Sequence, residues 1–469
     1  MSGVSSKGRG RAVACLVGAL LLPARAAADP PDAGATASLP GRWIAPAERP
    51  AAPAQRACST RLPVCVHAAA ADGARAVAAL DAFERAWATL TGALAIPAPD
   101  VAPATLTYDV FLVDAMPAGH AGELAATVLE ARDVRSRVDR ARGFSLVDRR
   151  VAAGCLLDTL AATAVARASL LRAAPATEEA TARAQSTYLA ELAVPCAAGA
   201  AIDAAQAFQS RPERGLAEDH AGDDGATPGT ESAMGPLARL HASGAAMFWR
   251  RIDWAFGRAP GGLVLATWAL HPTMTSVPAA RWDNEPDTFD VLRATFKGTL
   301  FTGGTIADLF LDFGVARAFA GDRDDGLHLP ELRTLGEAGR VPLDWDLPWP
   351  DRPRRIAPRA PVMPTGASYV VVRCAGARPG ARLRVEIDWE EHALFRWTLV
   401  KQNAQGRELG RVPIATTDRA TSAGMTLVGL DGVDRVLLVG VNAGDPAYAF
   451  DPDEEVWEPH GWLVTLAEE

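Results

Sequence analysis

Few side chains in this 469-residue chain have the types and spacing needed for chemistry. Its eight histidines occur singly, and no HxxxH occurs. Two histidines four residues apart on a helix can hold one zinc ion, so the usual helical zinc motif is absent. GxSxG, the phosphate-binding GxxxxGK[ST] and GxGxxG are also absent. From motifs alone we predict no catalytic residue, no metal ligand set and no cofactor.

The cysteines suggest covalent cross-links. Outside the N-terminal apolar segment they are Cys58, Cys65, Cys155, Cys196 and Cys374. Cys58 and Cys65 bracket the segment CSTRLPVC, which favours a disulfide that closes a short loop. The odd number leaves at least one thiol free or paired with another chain. Because CxxC does not occur, a thioredoxin-like or zinc-ribbon interpretation has no support.

Acidic residues offer two further hypotheses. Asp148, Asp158 and Glu191 are candidates for a carboxylate pair like those of glycoside hydrolases, although the sequence gives no distance between them. The acidic loops 321–331 and 451–455 invite a calcium interpretation. The first has an arginine where the second ligand of an EF-hand loop would stand, so we favour solvated turns and leave calcium binding open.

Composition and the N-terminal pattern indicate a secreted or periplasmic protein. The chain is 49% hydrophobic and 22% charged with net charge -9, which suits a globular protein and argues against nucleic acid as a partner. Residues 1–28 show a basic start, a short apolar run and small-residue cleavage sites, as in a signal peptide. Residues 29–56 are rich in Pro and Ala and predict a flexible leader. We expect no membrane span in the mature protein.

The elements that would position these residues form an α+β pattern. Within residues 57–328, few strands precede many helices. Residues 108–113 (YDVFLV) predict a strand inside a sheet, and residues 144–147 predict a second strand. Residues 155–172 and 177–208 predict two helices, and a proline and a glycine can interrupt the second. The segment between residues 115 and 142 is mixed, and we expect at least one helical piece in it.

The C-terminal part follows a different pattern. Residues 329–364 are rich in Pro and Arg and predict a linker. Residues 365–469 contain about seven short strand patterns separated by Gly, Asn and Asp turns, which predict an all-β sandwich domain. The expected architecture is therefore a mostly helical α+β domain with a small sheet, followed by a β-sandwich.

Six segments follow one another along the first domain: ALDAFERAWATL, YDVFLVD, GFSLVD, YLAELA, GAAMFWRRIDWAFG and LFLDFGVARAFAG. Their order resembles that of gluzincin-type (HExxH) zinc metallopeptidases and their secreted bacterial relatives. The resemblance covers roughly residues 60 to 320. It implies that GFSLVD leads into the metal-binding helix and that YLAELA supplies the third ligand.

The residues at the implied zinc site depart from the family pattern. The resemblance places Cys155 and Thr159 at the two histidine positions, Leu156 at the general base and Glu191 at the third ligand. Only Glu191 matches, and one carboxylate cannot hold zinc. We call these four residues the vestigial metal-site positions. Because the two helices pack side by side in the resembled fold, a Cys155–Cys196 disulfide is a hypothesis, and two buried free cysteines are the alternative.

These observations favour a protein without catalytic activity. We expect a secreted pseudoenzyme, metallopeptidase-like in fold, that binds a peptide or protein segment or acts as an envelope interaction module. One alternative is a hydrolase (a peptidase) with an active site that the sequence does not reveal. Another is a structural or adhesive module that binds through the β-sandwich. The oligomeric state stays open.

Overall fold

The computed structural model describes residues 41–42, 46–51, 54–133, 136, 138–197, 202–217, 235–270, 282–283, 286–296, 304–445 and 458–469. The predicted signal peptide (1–28), most of the predicted leader (29–56) and the acidic loop 451–455 lie outside these residues. Residues 40–469 belong to one compact unit. The architecture is mixed α+β. Two short strands, β1 (Gly41–Arg42) and β7 (Trp282–Asp283), form a separate antiparallel pair.

A five-stranded sheet forms the first layer, with strand order β2-β3-β4-β6-β5. Its strands are β2 (Gln55–Cys58), β3 (Val64–Ala68), β4 (Tyr108–Val113), β5 (Ala125–Arg132) and β6 (Ala141–Asp148). The central strands β3, β4 and β6 are parallel, and the edge strands β2 and β5 are antiparallel to their neighbours. The first residues of β4 are buried, as expected for an interior strand.

Strand β5 was not predicted from the sequence. The segment from 115 to 142 contains one short 3-10 turn, Ala118–His120, and then this strand. Its residues, AATVLEAR, include Ala, Leu and Glu, which favour helices. Pairing with β6 overrides that preference, because strand formation depends more on neighbouring strands than on intrinsic propensity.

Helices form the rest of the first part of the chain. Those described are α1 (Gly73–Trp87), α2 (Cys155–Ala173), α3 (Glu179–Ala193), α4 (Ile202–Ser210), α5 (Pro236–Gly244), α6 (Ala246–Phe256), α7 (Gly262–Leu270), α8 (Thr288–Phe296) and α9 (Ile306–Ala318). Helices α1 and α2 pack on the sheet and on each other, and α2 packs against α3. In its described part, the segment predicted as a helix over 177–208 contains two helices, α3 and α4.

Two further sheets form the C-terminal part. Their strands are β8 (Trp345–Leu347), β9 (Arg354–Ile356), β10 (Ala367–Arg373), β11 (Leu383–Trp389), β12 (Phe395–Gln402), β13 (Glu408–Ile414), β14 (Ser422–Leu427), β15 (Arg435–Asn442) and β16 (Trp462–Glu468). The strand orders are β13-β12-β15-β10-β8 and β14-β11-β16-β9. Buried side chains from both sheets share one hydrophobic cluster. Strands β10 to β16 correspond to the seven strand patterns seen in the sequence.

The segment predicted as a linker, residues 329–364, is structured. It holds a 3-10 segment (Pro330–Gly339) and the strands β8 and β9. Strand β8 pairs in parallel with β10, and β9 pairs with β16, so each is the edge strand of its sheet. Short edge strands tolerate flanking prolines, because their outer side needs no backbone partner. The segment therefore extends both sheets.

The helices and the five-stranded C-terminal sheet share a hydrophobic core. Tyr369 on β10 is buried, and its hydroxyl donates a hydrogen bond to the Gly314 carbonyl on α9 (2.7 Å). A Cβ at Gly314 would lie 2.7 Å from Cγ2 of Val441 on β15. The close approach of α9 to the sheet therefore requires glycine at this position.

The described residues form two disulfides, Cys58–Cys65 and Cys155–Cys196, which are the pairs considered from the sequence. Cys374 is free and buried, and burial, together with Asp434, raises the pKa of its thiol to about 11. Two disulfides are consistent with an extracellular protein. In the described part of the chain, no helix is long and apolar enough to cross a bilayer.

Candidate functional site

Glu191, in the last turn of α3, forms an ion pair with Arg250 of α6. Its Oε2 atom lies 2.5 Å from Nη2 of Arg250, and the exposed fractions of the two side chains are 10% and 12%. Burial raises the pKa of the Glu191 carboxyl, and the neighbouring guanidinium offsets part of that rise. The carboxylate that the resemblance assigns as the third zinc ligand is therefore paired with a cation of the protein.

Arg250 connects this pair to the C-terminal part of the chain. Its Nη1 atom also contacts the carboxylate of Glu331, in the 3-10 segment Pro330–Gly339. Burial lowers the pKa of Arg250, but the two carboxylates raise it more, so the net shift is upward. The guanidinium carbon lies 6.0 Å from the centre of the Tyr188 ring, which is within cation–π distance. Arg250 therefore keeps its charge and a fixed position.

Little space remains beside this ion pair. The cavity that Glu191 and Arg250 line, together with Met247 and Leu332, has a volume of about 10 Å³. That is about enough for one water molecule. This cavity is therefore too small to hold a substrate.

The other vestigial positions cannot act as zinc ligands. The Cys155 sulfur is bonded to Cys196, so it is not the thiolate that binds zinc. The Thr159 hydroxyl donates a hydrogen bond to the Cys155 carbonyl within the same helix (2.8 Å). Leu156 is 43% exposed and offers no acid–base group. The residues present do not fit the zinc ion that the resemblance would imply, and in the described regions no group of three His, Cys, Asp or Glu residues could hold a metal.

The three carboxylates considered for hydrolysis have separate partners. Asp148 pairs with Arg150, Asp158 with Arg85, and Glu191 with Arg250. Hydrogen bonding by Arg150 holds the pKa of the Asp148 carboxyl below its usual value. Within the described chain, no hydrogen bond or ion pair joins these carboxylates to one another. Each of these carboxylates is therefore balanced by an arginine of its own.

The acidic residues of loop 321–331 are likewise engaged by neighbouring side chains. The pairs are Asp322 with Arg340, Asp324 with Arg333, and Asp325 with His328. Hydrogen bonding by Arg340 holds the pKa of Asp322 below its usual value. The carboxylates of Asp324 and Asp325 are almost fully buried, with side chains 1% and 2% exposed, so this loop is internally paired and not a solvated turn as expected.

The sequence did not reveal a polar cluster around His328. Its ring nitrogens lie 2.8 Å from a carboxylate oxygen of Asp325 and 2.8 Å from one of Glu408, on β13. The ring stacks on Phe319 with centroids 4.2 Å apart. Arg411, also on β13, pairs with Asp312 of α9. The cluster joins the end of α9 to the C-terminal sheet, and its long sequence separations left no local signal.

Comparisons with known proteins add little to this geometry. No family model matches the chain, and no curated protein matches it. Among solved structures, a pre-peptidase C-terminal domain of a collagenase from Bacillus anthracis has 6% identity over 27% of this chain and 99% of that chain, with a TM-score of 0.18.

The VP2 subviral particle protein of infectious bursal disease virus has 12% identity over 25% of this chain and 33% of that chain, with a TM-score of 0.16. Similarities this weak support no functional argument.

Proposed function

We propose that this chain is a secreted, catalytically inactive, metallopeptidase-like protein that binds a peptide or protein segment. One observation carries the proposal: the Glu191–Arg250 ion pair stands where a zinc site would need a free carboxylate. The Cys155–Cys196 disulfide complements it, because it ties the start of α2 to the chain just after α3. The disulfide stabilises the α2–α3 pair, which a metal would hold in an active relative, and the ion pair stabilises the packing of α3 against α6.

The element order supports the gluzincin-like part of the proposal. Strand β6 leads into α2, which carries three of the vestigial positions, and the next helix, α3, carries Glu191. The aromatic helix α6 and the last helix α9 follow in the order that the resemblance implies. For the C-terminal part we propose a β-sandwich, supported by the hydrophobic cluster that the two sheets share.

Electrostatics explains why this site would not recruit zinc. A zinc ion at Glu191 would have to displace a guanidinium that is already paired with two carboxylates. It would gain a single carboxylate ligand, whereas structural and catalytic zinc sites use three or four protein ligands. The exchange is unfavourable because Arg250 would then be left buried without its partner.

Metal analysis and a peptidase screen test the proposal. The purified mature protein should contain no stoichiometric zinc, and neither chelator nor added zinc should change its melting temperature, because ligands stabilise only the state that binds them. A broad panel of labelled peptides should remain uncleaved. A Glu191→Ala variant serves as the matched control. Stoichiometric zinc, or an activity that this variant lacks, would favour a hydrolase and overturn the proposal.

A further inference from the structure

A cleft lies where the helices meet the C-terminal sheets. It has a volume of about 540 Å³, within the range typical of ligand pockets. The end of α4, the 3-10 turn Gly321–Arg323, the end of the 3-10 segment Pro330–Gly339, strand β8 and the loop after β9 border it. None of its lining residues belongs to the vestigial metal-site positions.

Positive charge predominates in the lining. Three arginines line the cleft, Arg323, Arg340 and Arg359, against two acidic residues, Glu337 and Asp346. The whole chain has a net charge of -9, so a cleft with more cations than anions differs from the average surface. Such a cleft concentrates oppositely charged ligands.

Three of these five charges are already neutralised. Arg340 pairs with Asp322 and Glu337, at 2.5 and 3.2 Å. Asp346 pairs with Arg373 at 2.5 Å. The charges of these side chains are therefore largely balanced within the protein.

The guanidinium groups of Arg323 and Arg359 lack such balance. Neither forms an ion pair or a side-chain hydrogen bond with any described residue, and both are exposed. The backbone of Arg359 is nevertheless fixed, because its N–H donates to Oδ1 of Asp344 (2.9 Å). Although part of the Arg323 side chain is exposed, partial desolvation, followed by the positive charges of Arg340 and Arg435, lowers the pKa of its guanidinium, and Asp322 and Asp346 offset only part of that shift. An anion in the cleft would relieve this repulsion.

The cleft also has an apolar side. Ala338, Val341, Pro342 and Leu343 line it beside the arginines. A ligand that combines negative groups with short apolar stems would contact both sides. The side chains of a peptide with several carboxylates have that composition.

We propose that this cleft binds a carboxylate-bearing ligand, specifically an acidic peptide segment, through Arg323 and Arg359. The planar fork of a guanidinium matches a carboxylate with two parallel hydrogen bonds. The peptide nature of the ligand rests on the proposed function. The recognition of carboxylates by the two arginines rests on the cleft alone.

Fluorescence anisotropy of a labelled peptide of alternating glutamate and alanine tests the proposal on the full mature protein. The double variant Arg323→Gln/Arg359→Gln should weaken binding at least ten-fold, since each charge-assisted hydrogen bond contributes several-fold. Arg352→Gln is the matched control, because Arg352 is exposed in the same Pro-rich segment and does not line the cleft. It should leave binding unchanged.

Competition experiments distinguish the sources of the ligand. The same peptide with glutamine in place of glutamate should bind at least ten-fold more weakly. Succinate that displaced the peptide at equal concentration would overturn the peptide assignment, and phosphate that competed better than succinate would overturn the carboxylate assignment. Absence of binding, or equal weakening by Arg352→Gln, would overturn the proposal as a whole.

Two further measurements keep the result interpretable. If the double variant does not fold, Arg323→Lys keeps the charge but loses the planar fork, and we expect it to weaken binding several-fold. Zinc content and peptidase activity are measured on the same preparation. Stoichiometric zinc would refute the proposed inactive function without affecting the binding result, so the two failures can be told apart.

Discussion

At the residue scale, the central feature is a buried carboxylate whose counterion comes from the protein. The sequence singled out Glu191 because of its place in YLAELA, but it could not identify Arg250 as the partner. The two residues are 59 positions apart, and the pairing depends on how α3 and α6 pack. A periodic sequence pattern describes the faces of a single helix, so it does not show which residues of two helices contact each other.

Removal of Arg250 should leave the buried Glu191 carboxylate without its counterion. We expect Arg250→Met to destabilise the protein by about 3–5 kcal/mol, as is typical when one partner of a buried pair is lost. The loss should be smaller at pH 5 than at pH 8. A buried carboxylate without its cation has a raised pKa, so proton uptake at lower pH favours the folded state.

Urea unfolding at both pH values measures this effect. The double variant Arg250→Met/Glu191→Leu is the control, since replacement of both partners by apolar groups is often close to neutral. Equal destabilisation by the single and double variants would show that the charge on Glu191 is not the cause.

Asp109 on β4 offers a test of acid sensitivity. Burial acts to raise the pKa of its carboxyl, but hydrogen bonds from His67, Arg49 and Thr107 lower it to about 2. Because the folded pKa lies below the unfolded value of 3.8, this group stabilises the protein above pH 4. That contribution disappears as the pH falls from about 4 to 2.

Asp109→Asn should therefore cost roughly 2 kcal/mol at pH 7, and the difference from the unsubstituted protein should shrink below pH 4. Thermal unfolding at pH 7, 5, 3 and 2 follows this difference. A constant difference at all four pH values would mean that packing, and not ionisation, explains the loss.

At the element scale, the sequence predicted strands well where they are buried or regularly alternating. Strand β11, LRVEIDW, alternates buried and exposed residues, and it is one of the seven strands predicted in residues 365–469. Strands β8 and β9 are three residues long and pair with strands that follow them in the chain. Segments this short show no periodicity, so only the tertiary pairing defines them.

The helix pair α2–α3 depends on the Cys155–Cys196 disulfide for part of its stability. These cysteines are 41 positions apart, and the entropy of a loop of this length corresponds to about 4 kcal/mol. We expect the double variant Cys155→Ser/Cys196→Ser to lose stability on that scale. The disulfide Cys58–Cys65 closes a loop of 7 positions, so Cys58→Ser/Cys65→Ser should lose only about 2 kcal/mol.

Chemical denaturation of both variants gives the comparison, and non-reducing peptide mapping verifies the pairing in the unsubstituted protein. Free thiols at Cys155 and Cys196 in that map would refute the cross-link. An equal loss in both variants would show that strain, and not loop entropy, dominates.

At the scale of the whole molecule, the sequence predicted two kinds of structure in the right order but also a linker between them. The Pro-rich segment contributes strands to both C-terminal sheets, and buried residues of β10 and β15 belong to the core of the helices. The high proline content of residues 329–364 is typical of a linker, which is why the sequence predicted one. Strands β8 and β9 are edge strands because they pair with β10 and β16, which lie further along the chain than a short sequence window reaches.

The shared core predicts that both parts unfold together. We expect a single calorimetric transition, and Gly314→Ala should lower its midpoint, because the added Cβ would clash with Val441. Alanine normally stabilises a helix relative to glycine by up to about 1 kcal/mol, whereas overpacking costs about 1–3 kcal/mol. Gly262→Ala is the matched control, since a Cβ there meets no atom within 4 Å. Two separate transitions, only one of them shifted, would contradict the shared core.

The contact between Tyr369 and Gly314 also has a consequence for synthesis. Tyr369 lies on β10 and Val441 on β15, so the helices cannot complete their core until the last quarter of the chain has left the ribosome. Until then, α9 presents an apolar surface that other chains or chaperones can contact. A nascent chain stalled before β10 should therefore be sensitive to protease along α9, and one that extends past β15 should be protected.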